Sequence, residues 1–165
     1  MNYVVVRYAG IELEMSEALA AQWPFELPLS KFPTFCGIGH GVGDALVPDT
    51  IFGARLCPAC LIHDFDWAYV NNTRQEFLVT NKRLLKNLIS CVNFQLYGSE
   101  LGLAKVVVYG YYVAVSTIGW LRFKFPTILS TNTLKTTSIE SKILLLGYAK
   151  RDYLTTSGVS LAKVI

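Results

Sequence analysis

Charge is scarce in this chain. Asp, Glu, Lys and Arg make up 16% of its 165 residues, against 52% hydrophobic. A chain this apolar buries enough surface to offset the entropy of ordering its backbone, so global disorder is excluded, and the length suits one compact domain over 1–165. The few charges nearly cancel: 15 Lys and Arg against 12 Asp and Glu leave +3. That excess is too small to imply nucleic acid as a partner. Also missing is an apolar run long enough to span a bilayer. The longest uncharged stretch, 106–121, lies between Lys105 and Arg122 and is interrupted by Gly110 and Gly119. It falls short of the roughly 20 residues a span requires and reads as a buried or membrane-facing helix. The first residues carry no basic stretch followed by an apolar core, so no signal peptide is visible. There is no internal repeat.

Cysteine is present in an even number: Cys36, Cys57, Cys60 and Cys91. The count alone allows two disulfides, one metal site or four buried thiols. Proline and glycine are concentrated. Pro24, Pro28, Pro33 and Pro48 share the stretch 24–53 with Gly37, Gly39, Gly41, Gly43 and Gly53, a density that predicts a long structured loop with no regular element. Loops of this length inside a compact domain usually serve a function.

Around that loop the chain divides into three parts. Residues 1–23 read as a peripheral N-terminal segment, with a β-like run from Tyr3 to Tyr8 and a helical patch from Ser16 to Trp23 stopped by Pro24. Residues 24–121 form the core. Residues 127–165 are a C-terminal segment whose first part is rich in Ser and Thr, as in a linker.

Within the core, Pro58 suits the first turn of a helix running to about Val70, because its missing N–H costs nothing there. Thr73 and Glu76 stand at capping-box spacing, so a second helix begins near Arg74. Its apolar stripe reads Leu78, Leu85, Leu88, Val92, with Asn81 on the same stripe where packing calls for an apolar residue. A third, apolar helix covers 101–121.

On the first of these helices Cys60, His63 and Trp67 share one face, and Asp64 is turned about 100° from His63. His63, aimed at an antiparallel neighbour, would meet Asn81. The alternating glycines of Cys36-Gly37-Ile38-Gly39-His40-Gly41 can turn carbonyls toward a cation or amides toward an anion. Cys57-x-x-Cys60-x-x-His63 also has zinc-ligand chemistry, with Cys91, His40 or Cys36 as a fourth ligand, although one helix strains tetrahedral geometry. Asp66 reads as a solvated face, with a second acidic ligand as the alternative, and the small basic cluster Lys82, Arg83, Lys86 also reads as a solvated face, with no interleaved aromatics for stacking bases.

From Phe35 to about Val92 the chain resembles the phospholipase A2 superfamily, particularly its phage-like and bacterial members. The likeness rests on Cys36-Gly37-x-Gly39, Pro48-Asp49-Thr50, Ala59-Cys60-x-x-His63-Asp64 and the helix Asn81-Lys82-Arg83-Leu84-Leu85-Lys86-Asn87. The resemblance implies a mainly α fold: a glycine-rich calcium loop, two antiparallel helices carrying the His-Asp site, a disulfide staple and a third apolar helix. It implies a Ca²⁺-dependent hydrolase of phospholipid acyl esters acting at a membrane surface. His63 would be the general base and Asp64 a calcium ligand, with the carbonyls of Phe35, Gly37 and Gly39. It also implies a Cys36–Cys60 disulfide and, secondarily, Cys57–Cys91, hence a secreted, extracellular or virion-associated protein.

Two positions depart from the family. Asn81 stands where an aspartate orients the histidine, and Trp67 where a tyrosine is usual. An amide oxygen still accepts the ring N–H but carries no charge to balance an imidazolium. An attenuated lipid- or partner-binding module is therefore the second reading, and a zinc-stabilised structural domain the third.

Overall fold

The computed structural model describes residues 2–33, 36, 48–69, 73–124 and 143–144. In chain order the elements are β1 (Tyr3–Tyr8), β2 (Ile11–Ser16), α1 (Glu17–Ala20), a 3-10 turn (Leu29–Lys31), β3 (Thr50–Ile51), β4 (Ala54–Arg55), α2 (Cys57–Tyr69), α3 (Arg74–Gln95) and α4 (Gly98–Lys124). The protein is mainly helical and carries a Cys36–Cys60 disulfide with Cα atoms 5.3 Å apart.

The N-terminal segment is not peripheral. β1 and β2 form an antiparallel hairpin with Tyr8 opposite Ile11 and Tyr3 opposite Ser16. Strict alternation turns Ile11, Leu13 and Met15 inward, where they are at most 1% exposed and share one core with α2 and α3. The turn puts Ala9 at φ +49° and Gly10 at φ +89°, the left-handed pair that a type I′ turn requires. A Cβ on Gly10 would also fall 2.3 Å from the Phe94 ring. The helical patch expected over 16–23 shrinks to α1, capped by the Ser16 hydroxyl, which accepts from the Leu19 N–H.

The proline-rich loop also holds more order than expected. It contains the 3-10 turn and ends in a second tight hairpin, β3–β4, with Phe52 and Gly53 both at positive φ. Tyr8, Trp23 and Phe32 pack their rings 5.5–5.7 Å apart over its first part, and the Tyr8 hydroxyl donates to the Leu27 carbonyl at 2.7 Å.

α2 begins at Cys57 with Pro58 in its first turn, and Thr73 caps α3 by accepting from the Glu76 N–H. The buried face of α3 is Phe77, Thr80, Asn81, Leu84, Leu88, Cys91 and Val92. Leu78, expected on that stripe, is exposed. α3 packs against both β2 and β4, through Arg83, Lys86 and Asn87 and through Gln95. α4 is longer than expected, and among the described residues no helix is long and apolar enough to cross a membrane.

Two carboxamides on α3 close the hairpin edges. Asn87 accepts from the Glu14 N–H and donates to the Glu14 carbonyl, both at 2.8 Å. Gln95 does the same with Arg55, at 2.9 and 3.0 Å. Each side chain thus completes one strand residue's backbone pairing.

The charged residues read as solvated faces are partly interior. Asp66 is fully buried and ion-paired with Arg83, which is 6% exposed and lies over the Tyr3 ring, 3.4 Å from its centroid. Both point at the hairpin, a surface that the periodicity of α2 and α3 alone does not reveal. Glu14 joins the cluster, accepting from Lys86 Nζ at 2.5 Å and from Arg83 Nε at 3.3 Å.

The Lys86 hydrogen bond, more than any other influence, holds the Glu14 carboxyl below its usual 4.5, burial opposing it. A depressed acid contributes stability above its unfolded value and loses it as pH falls through the folded one. The denaturation midpoint should therefore drop on acidification below about pH 4.5. It should drop less in Glu14→Gln, and equal pH profiles for the two proteins would rule this contribution out.

Candidate functional site

The site grows from three helices. α2 presents His63, Asp64 and Trp67, α3 supplies Asn81, and α4 contributes Ser116 and Gly119. His63 is 8% exposed, with Nε2 2.9 Å from Asn81 Oδ1. Asn81, completely buried, donates its amide N–H to Ser116 Oγ at 3.4 Å. With the amide nitrogen facing the hydroxyl, Oδ1 faces the ring as an acceptor, an arrangement that favours the tautomer with its proton on Nε2. Ser116 is the residue that reading α2 and α3 alone misses. Its signal was the one that exposed Asn81, a polar side chain in an apolar helix.

Asp64 is partly exposed, and its Oδ1 comes within 3.9 Å of His63 Nδ1. The 100° separation on the helix did not anticipate this approach. A carboxylate oxygen with access to solvent suits a hard divalent cation. The other expected ligands, Phe35, Gly37 and Gly39, lie outside the described residues.

Trp67 packs against the His63 ring with centroids 5.1 Å apart. Gly119 makes room for it, since a Cβ there would meet the indole at 3.3 Å. Phe77 and then Trp120 extend the aromatic wall, at 6.0 and 5.3 Å between successive rings. The wall occupies one side of the imidazole. Such walls fix a ring's orientation by packing rather than by hydrogen bonds.

The cysteines do not all pair as expected. Cys36 and Cys60 are joined, whereas Cys57 and Cys91 are buried thiols. Cys57 Sγ is turned to Asp49, 3.7 Å from its carbonyl and 3.5 Å from its carboxylate. Burial pushes the Cys91 thiol up to about 12, which disfavours the thiolate that disulfide formation needs.

The zinc set proposed along α2 is not assembled either: Cys60 is in the disulfide and His63 Nε2 is on Asn81. Asp49, which the sequence marks within Pro48-Asp49-Thr50 without a role, is an organising residue. Its carboxylate accepts from the Cys36 N–H at 3.0 Å, and its carbonyl accepts from the Leu56 N–H at 2.9 Å. It therefore ties the disulfide to the start of α2.

The chain matches no known protein family, no curated protein and no solved structure.

Proposed function

We propose that this protein is a Ca²⁺-dependent hydrolase of phospholipid acyl esters with an attenuated catalytic pair. The observation that carries the reading is the His63–Asn81–Ser116 chain, which orients the imidazole with Nδ1 as acceptor beside the Asp64 carboxylate. His63 Nδ1 takes a proton from a water attacking the ester carbonyl and returns it to the leaving alcohol. Asn81 holds the ring through Nε2–H, and the Trp67 packing keeps it from rotating. Asp64 would hold the cation, whose chemistry when bound is to polarise the ester carbonyl and offset charge on its oxygen.

A lipid surface fits the outside of α4. Leu103, Val106, Tyr109 and Val113 are all more than half exposed, at three- and four-residue spacing along one side of the helix. The decisive measurement is fatty-acid release from phospholipid vesicles. Release should require Ca²⁺, stop with EDTA and be lost in His63→Gln. Hydrolysis undiminished by chelation, or retained in His63→Gln, would refute the reading.

The missing charge at Asn81 favours a second reading, a lipid- or partner-binding module that keeps the fold without the chemistry.

A further inference from the structure

We propose that reduction of the Cys36–Cys60 disulfide converts the start of α2 into a binding site for a soft divalent cation of the zinc type, with Cys36, Cys57 and Asp49 as ligands. Three observations on three chain segments carry it. Cys36 Sγ, Cys57 Sγ and an Asp49 carboxylate oxygen all lie within 4.8 Å of one another. Ligands at about 2.3 Å from a tetrahedral zinc stand about 3.8 Å apart, so the three atoms need only small movements to share an ion.

The second observation is orientation. Cys57 Sγ faces Asp49 Oδ1 at 3.5 Å, and the Cys36 backbone N–H donates to the same oxygen at 3.0 Å, which holds that oxygen against the Cys57 sulfur and the Cys36 backbone. The third is placement. Cys57 is the first residue of the 13-residue α2, and the positive end of a helix dipole favours a thiolate there.

The oxidised protein has no such site, because Cys36 Sγ is committed to Cys60. Disulfide and metal site are alternative states of one sulfur atom. The conversion needs a two-electron reductant, and a dithiol supplies it. One of its thiolates attacks a sulfur of the Cys36–Cys60 pair, the S–S bond breaks, and the departing sulfur takes a proton. The second thiol then resolves the mixed disulfide, so two electrons and two protons pass to the pair and the reductant leaves as a disulfide. Metal binding displaces the thiol protons into solvent. Cys60, released by the same step, takes the fourth position. This set differs from the Cys57, Cys60, His63 combination suggested by sequence, and it leaves His63 on Asn81. It does not rest on the hydrolase reading.

The test is a zinc titration against a chromogenic chelator. The oxidised protein is compared with protein reduced by a phosphine and desalted without oxygen. The reduced protein should bind one zinc per chain and the oxidised protein none at the same concentrations. Cys57→Ser and Asp49→Asn should each weaken binding at least about tenfold, the scale on which disturbing a metal's protein shell acts. Excess Ca²⁺ should leave the titration unchanged, since thiolates select soft cations.

Reduction also loosens the fold, so Cys60→Ser provides the second arm. It frees Cys36 without any reductant and should bind one zinc, more weakly than the reduced wild type, with water in the fourth position. Equal binding by oxidised and reduced protein overturns the proposal. So does unchanged affinity in Cys57→Ser or Asp49→Asn, and so does a Cys60→Ser variant that binds none, whatever the reduced wild type does.

Discussion

Asn81→Asp is expected to raise the rate of phospholipid hydrolysis by about two to four orders of magnitude. The upper figure is the loss in kcat when the equivalent aspartate of the serine-protease triad becomes asparagine. The geometry for the gain is already built. Asn81 Oδ1 stands 2.9 Å from His63 Nε2, so a carboxylate oxygen in its place keeps that hydrogen bond and adds a charge against the imidazolium formed when Nδ1 takes its proton. The second carboxylate oxygen replaces an amide nitrogen that donates to Ser116 Oγ. The serine hydroxyl can rotate and donate instead, so the buried carboxylate is hydrogen-bonded at both oxygens. Fatty-acid release with and without Ca²⁺, alongside vesicle binding, is the measurement. A large rise marks a complete but attenuated site. Retained vesicle binding with no hydrolysis in either protein would instead make the chain a binding module.

Arg83→Ala should destabilise the protein by about 3–5 kcal/mol, because it leaves the Asp66 carboxylate buried without its partner, and Asp66→Ala should cost less, because Arg83 keeps Glu14. For a domain of this size that corresponds to a fall in Tm of roughly 6–20 °C. The pair is not a stabiliser in the simple sense. Burial pushes the Asp66 carboxyl up to about 6 even with the Arg83 guanidinium beside it, so desolvation outweighs the attraction. Replacing both together, with Asp66→Leu and Arg83→Met, should therefore recover most of the loss that either of these two changes causes alone, and the three variants close a double-mutant cycle with the wild type. Thermal unfolding of the four proteins decides it. Single variants within about 1 kcal/mol of wild type would show that the charges are solvated after all.

The residues that were legible in the sequence are those whose position contradicted their surroundings. Asn81 stood on an apolar stripe, and His63 lay one turn from a cysteine and one from a tryptophan; both are where the helical repeat puts them. The hairpins were harder to see because their turns are Ala9-Gly10 and Phe52-Gly53, whereas the strong sequence signal for a type I′ turn is Asn-Gly or Asp-Gly. Asp66 and Arg83 were misjudged for a physical reason: a charged side chain defaults to solvent, and only the packing of β1 and β2 across the helices encloses this pair. Leu78 shows the converse. It has the right spacing but is exposed, because tertiary contacts choose which of two overlapping stripes is buried. Pairing of cysteines was beyond composition, since Cys57 prefers a carboxylate to a sulfur.

The two carboxamides of α3 have a consequence for how the molecule opens. Asn87 and Gln95 each present one acceptor and one donor to a strand, as a neighbouring strand residue would, so a single helix acts as the missing ladder partner of both hairpins. Isolated two-stranded hairpins fray quickly in water. Here the edge amides of Glu14 and Arg55 cannot exchange with solvent until α3 itself moves away. The protection of those two amides should then follow the lifetime of a helix 22 residues long, with hairpins and helix expected to exchange as one cooperative unit.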